Sequence, residues 1–161
     1  MGVIVACTAG IRAALENTLQ YEHMNTVFKK IIDREIAADI VYEDDHVLAF
    51  LDIQPLRKGH TLIIPKHPYV DIFDMESSTF CHMAQVAQKV ARALMLVTKA
   101  HGVNLHMNNG HAAGQDVFHA HIHVIPRFER GEAFNVHTHE TYESDEAARI
   151  AGELHKTLLS S

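Results

Sequence analysis

The stretch HAHIHV, residues 119–124, constrains this chain more than any other. Along an extended backbone successive side chains point to opposite faces. Strict alternation therefore puts His119, His121 and His123 on one face and Ala120, Ile122 and Val124 on the other. A small-and-aliphatic face predicts burial against a core, so the strand is anchored in a sheet and presents three imidazoles from its other side. Three readings compete for such a face. As a metal site, two histidines at i and i+2 lie ~6.6 Å apart and can share an ion, but three span about 13 Å. No cysteine or carboxylate stands nearby at ligand spacing, so metal binding is the minority reading and none is expected. As filler, each buried imidazole would need its own partner, a poor fit to three in strict alternation. As phosphate chemistry, a neutral imidazole is nucleophilic near pH 7 and its neighbours can donate to phosphoryl oxygens. The glycine-containing NNGHAAGQD, residues 108–116, ends just before the strand, where backbone N–H groups could cradle a phosphate. Spacing favours this third reading.

Composition narrows the partners. A net charge of -6 opposes a protein that lives on DNA or RNA, yet a few local donors can hold one nucleotide against that background. No apolar run is long enough to span a bilayer, so no membrane is expected. Cys7 and Cys81 stand alone, read as small buried hydrophobes, and suit a reducing compartment. Residues 1–24 lack a basic leader pattern and are read as an extension of a single domain over 25–161, with a cytoplasmic location expected.

Periodicity places the elements. Phe28, Ile31, Ile32 and Ile36 predict a short amphipathic helix over 26–36. Strands are expected over 39–45 and 46–53, with EDDH as their turn, and over 59–66. A long helix follows, with Ser77 or Ser78 as N-cap, Gly102 as stop, and a stripe of Phe80, Met83, Ala84, Ala87, Val90, Ala91, Leu94 and Met95. Strands over 103–109 and 117–128 flank the glycine loop, and a capped helix with an acidic first turn closes the chain over 144–159. Strands clustered round one long helix predict an α+β protein with a mainly antiparallel sheet of about five strands and one or two shorter helices.

HAHIHVI resembles the histidine triad of the HIT superfamily of nucleotide hydrolases and transferases. FKKII, YEDDHVLAFLDI, GHTLIIPK and NNGHAAGQDVFHAHIHVIPR follow in family order between Thr26 and Arg130, closest to the short Hint-like branch. The resemblance implies a HIT-like fold and a purine nucleoside phosphoramidase. In that scheme His121 attacks the α-phosphorus to give a nucleotidyl-histidine, which water then hydrolyses. His119 orients His121, His123 donates to phosphate, and His60 supports the triad from behind. Asn108, Gln115, Asp116 and Val117 complete the phosphate cradle. Asp52 accepts both ribose hydroxyls, and Phe28, Ile31, Phe50, Ile53 and Leu62 line the base pocket. No cofactor is implied, and a homodimer involving the helix from Ser77 to Lys99 is. The runner-up activities are dinucleoside polyphosphate hydrolysis and nucleotide binding with vestigial turnover. The structural zinc of several bacterial relatives is not expected, because Thr26, Lys29 and Pro68 stand at its ligand positions. Asp116 departs from the phosphate-contacting Ser of some relatives, and an ionised carboxylate cannot donate. HTH at 137–139 matches nothing in the family's tail and is given no role.

Overall fold

The computed structural model describes residues 26–131 and 138–160. The extension over 1–24, Cys7 and His137 lie outside the described residues. Five strands build one antiparallel sheet: β1 Ile40–Glu43, β2 Val47–Leu51, β3 Thr61–Pro65, β4 Gly102–His106 and β5 Ile122–Arg127. Their spatial order is β1-β2-β3-β5-β4. The α+β architecture and strand count are as expected. The β1–β2 turn forms because Asp44 Oδ1 accepts from the backbone N–H of His46 at 2.8 Å and of Val47 at 2.9 Å. Register then carries one row across the whole sheet: Ile40 faces Phe50, Phe50 faces Leu62, Leu62 faces His123 and His123 faces His106. One face of the sheet thus runs from apolar to imidazole in a single line.

The opposite face packs on α2 (Ser77–Thr98), through Met83, Val86, Ala87, Val90, Ala93 and Leu94. The predicted stripe was rotated by a fraction of a turn. Ala84 and Met95 are exposed, while Val86 and Ala93, outside the stripe, are buried. An Ala-rich helix has several nearly equivalent apolar faces, and the sheet selects one. The helix ends at Lys99, in the left-handed region at φ 60°, and Gly102 instead opens β4. Thr98 supports that earlier stop, its hydroxyl donating to Leu94 O at 2.7 Å and accepting from Ala100 N at 3.3 Å. The N-cap is Glu76, with no side-chain cap bond, rather than Ser77 or Ser78. Cys81 is exposed on the outer side of this helix, contrary to its reading as a buried hydrophobe.

The closing helix, α3 (Glu146–Leu159), starts after a left-handed Asp145 whose side chain makes no cap bond. Glu146 compensates by accepting from Glu143 N at 3.0 Å. This helix covers the β1 edge, where His155 Nδ1–H donates to Val41 O at 3.1 Å. β4 keeps an open edge, with Leu105 exposed. On the histidine face lies the six-residue α1 (Val27–Ile32), shorter than predicted because residues 33–36 form a turn. Thr26 caps it, its Oγ1 accepting from Lys29 N at 3.1 Å. Phe28 and Ile31 pack down from it onto Leu48, Phe50, Leu62 and Ile64.

Candidate active site

Hydrogen bonds assign a tautomer to every imidazole of the centre, because a carbonyl oxygen can only accept and a backbone N–H can only donate. His121 Nδ1 lies 2.7 Å from His119 O, so Nδ1 carries the proton and Nε2 keeps its lone pair. His119 Nε2–H donates to Pro65 O at 2.9 Å, locking that ring in the β3 end. Its Nδ1 faces the Thr26 hydroxyl at 3.5 Å. His60 Nδ1 accepts from Leu56 N at 3.3 Å, which leaves the proton on Nε2. That proton is donated to His123 Nδ1 at 3.0 Å, so His123 carries its own proton on Nε2. One ring is thus a base and its neighbour a donor. Their centroids are 4.8 Å apart.

Only His123 of the three lies within β5; His119 and His121 sit on irregular backbone just before it. The rings still share a face, since Phe28 meets His119 and His121 edge-on at 5.9 and 5.2 Å. Ala120 is pulled into place by its N–H to Tyr69 O at 2.7 Å. Burial replaces water round all four rings and disfavours the imidazolium. His119 falls to about 4 from an ordinary 6.5. His60 and His123 fall well below the usual range, burial first and then the neighbouring imidazoles, and His121 is lowered by burial too. Because these folded pKa values lie under 6.5, the unfolded chain binds more protons below that pH, and stability falls as pH drops from 6.5 toward 4. The same shift keeps His121 Nε2 unprotonated. A reaction that needs this ring neutral should fall to half its rate only below pH 6.5, the ordinary imidazole value. A kcat/KM profile already halved at pH 6.5 would contradict that.

The glycine loop bends through a 3-10 turn at His111–Ala113, between Gly110 at φ 84° and Gly114 at φ 82°. Gln115 braces it from beneath, accepting from Gly110 N at 2.7 Å and donating to Val70 O at 2.6 Å and Val117 O at 3.2 Å. Asn108 Nδ2 donates to Gly114 O at 3.0 Å. Both amides thus shape the loop itself. Asp116 is exposed at its end, and Val117 packs beside the Phe28 cluster.

Between α1 and the strands opens an apolar cavity of about 460 Å³, with Phe28, Ile31, Phe50 and Leu62 on its walls. Asp52 lies at its border, Oδ1 accepting from Gln54 N at 2.9 Å and Oδ2 3.4 Å from His60 Nδ1. Burial raises the Asp52 pKa. Ile53 only rims this cavity, being 90% exposed. Three residues with no predicted role join the site. His106 stacks on His123 with centroids 4.5 Å apart, and Thr141 and Tyr142 line the cavity. His139 was given no role either, yet its Nδ1–H donates to Gln54 O at 2.7 Å. Nothing local marks these four, since each depends on a contact far along the chain. Among the described residues, Asp52, His60 and His123 form the one donor group close enough to share a cation. An ion there would have to break the His60–His123 bond.

The apolar cavity and the four-imidazole centre adjoin through Phe28, which lines the cavity and meets His119 and His121, and through Asp52, which lies beside His60. The chain belongs to the HIT family, whose HIT domain matches residues 33–130. It is similar to Protein hit of Bacillus subtilis, 40% identical over 140 residues covering 85% of this chain and 97% of that one. It is also similar to an adenylylsulfatase of Arabidopsis thaliana, 44% identical over 104 residues, 65% of this chain and 53% of that one. Among solved structures, a zinc-bound histidine triad family protein from Mycobacterium smegmatis is 37% identical with a TM-score of 0.74, covering 85% of this chain and 95% of that one.

Proposed function

We propose that this protein hydrolyses purine nucleoside phosphoramidates, in two in-line displacements at one phosphorus. The His121 Nε2 lone pair attacks the α-phosphorus; the phosphorus–nitrogen bond to the substrate amine breaks, and the amine leaves once it has taken a proton. Water then attacks the same phosphorus, the bond to His121 breaks, and a nucleoside monophosphate departs with Nε2 regenerated. The observation that carries this reading is the His121 Nδ1–H···O His119 bond of 2.7 Å, which holds Nε2 as the lone-pair nitrogen. His123 Nε2–H supplies a donor for the charge that builds on the phosphoryl oxygens, and His60 keeps that proton on the required nitrogen. Asn108, Gln115, Asp116 and Val117 present the loop backbone to the phosphate. Asp52 takes the ribose hydroxyls, and Phe28, Ile31, Phe50 and Leu62 hold the purine.

The adenylylsulfatase relative supports a second reading within the same chemistry, in which the leaving group is sulfate rather than an amine. The adenylyl half is common to both. Steady-state rates on AMP-morpholidate, adenylyl sulfate and diadenosine triphosphate, measured side by side, separate them. The phosphoramidate is expected to give the largest kcat/KM. Faster turnover of either other substrate reassigns the leaving group. Saturable AMP binding with no turnover of any of the three leaves only a nucleotide-binding protein.

A further inference from the structure

Residues 138–147 lie beyond the HIT domain match at 33–130, yet they are tied at five points to the loop that carries Asp52 and His60. Glu140 N–H donates to Pro55 O at 2.7 Å, and the Glu140 carboxylate accepts from Lys58 N at 2.8 Å. The Tyr142 hydroxyl accepts from Gly59 N–H at 3.1 Å. Lys58 Nζ pairs with Glu146 at 2.6 Å, and His139 holds Gln54 O. Gly59 sits at φ 96° with α2 against it, a Cβ there meeting Leu94 and Thr98 at 3.0 Å, so the loop is pressed from the other side as well. The tied segment is thereby held beside the cavity. It turns Thr141, Tyr142 and Ala147 toward that cavity, across from Phe28 and Ile31.

We infer that this C-terminal segment is the wall of the cavity against which the nucleobase packs, with Thr141 and Tyr142 its contact residues. The inference rests on the nucleotide reading above and names what selects the base within that site. The sheet and α1 supply a floor and one side. Without residues 138–147 the opposite side of the cavity would open to water, and a ring of any size could enter. Stacking one aromatic face against another group is worth a factor of roughly two to twelve in affinity, enough to matter for base preference and too little to govern the chemical step.

The test is calorimetric titration of the full chain with AMP and with ribose 5-phosphate, which keeps the sugar and phosphate but has no base. The readout is the ratio of the two dissociation constants. Thr141→Trp fills the base space from an exposed position, and Tyr142→Ala removes the wall. A merely structural change that loosens the loop weakens both ligands together and leaves the ratio unmoved. A fall in the preference for AMP of about two- to twelvefold in either variant is the expected result. A ratio equal to that of the unaltered protein in both variants overturns the inference. If the unaltered protein itself shows no preference for AMP over ribose 5-phosphate, the nucleotide reading fails instead. Thr141→Trp keeps the test decisive should Tyr142→Ala fail to fold.

Discussion

A His121→Ala protein is expected to lose phosphoramidate turnover by at least about 10⁴-fold while still binding AMP. In the proposed mechanism the loss is that large because Nε2 of this ring is the bond-forming atom, and the lone-pair nitrogens of its neighbours, His119 Nδ1 and His123 Nδ1, are turned to Thr26 and His60. His123 Nδ1 accepts from His60 and His119 Nδ1 faces the Thr26 hydroxyl, so neither lone pair can step in without leaving its partner. Binding should survive because the residues proposed to hold base and ribose, Phe28, Phe50 and Asp52, line the cavity, where His121 does not. Rapid-quench with α-labelled substrate gives the independent check: acid-labile label on the unaltered protein and none on the variant. Full turnover by His121→Ala would end the covalent scheme.

His123→Leu should lower kcat/KM by about 10²- to 10³-fold, the usual cost of removing one preorganised donor from a developing oxyanion. Leucine fills most of the volume, so the packing beneath Leu62 changes little. The His60 Nε2–H, however, loses its acceptor in a buried place, which costs about 1–3 kcal/mol of stability. The signature is therefore double, a slower reaction together with a lower urea midpoint. The companion His60→Leu variant discriminates between causes. In the proposed mechanism His60 acts through the His123 tautomer, and without it the His123 proton can move to either nitrogen. Its kcat/KM loss should therefore be smaller than that of His123→Leu. Equal activity in His123→Leu and the unaltered protein, within about threefold, would remove His123 from the reaction.

Much of the scaffold is written in short-range signals. Alternation over 119–124 correctly sorted Ile122 and Val124 into the core and His123 onto the opposite face, because the two-residue strand period is a property of the backbone alone. Strand over-extension at 103–109 and 117–128 has an equally local origin, as polar and small residues there satisfy a strand pattern until a loop bond claims them. Gln115 shows the limit for the site. Its residue type suggested contact with phosphate, and only the folded loop reveals that its amide is used by Gly110, Val70 and Val117. His106 likewise reads as one more polar strand residue until β4 pairs with β5 and sets it on His123.

What the residues determined unaided were the elements, the antiparallel α+β class and the identity of the central imidazoles, since these follow from periodicity and from motifs within a few tens of positions. The tertiary structure decided the rest: which nitrogen of each ring holds its proton, which face of the long helix is buried, and that a stretch near the C-terminus closes over the cavity. Those outcomes depend on partners distant in the chain, Pro65 for His119, His60 for His123 and Gly59 for Tyr142. A hydrogen bond has direction and range only in space, so its partner becomes definite when the chain has packed and not before.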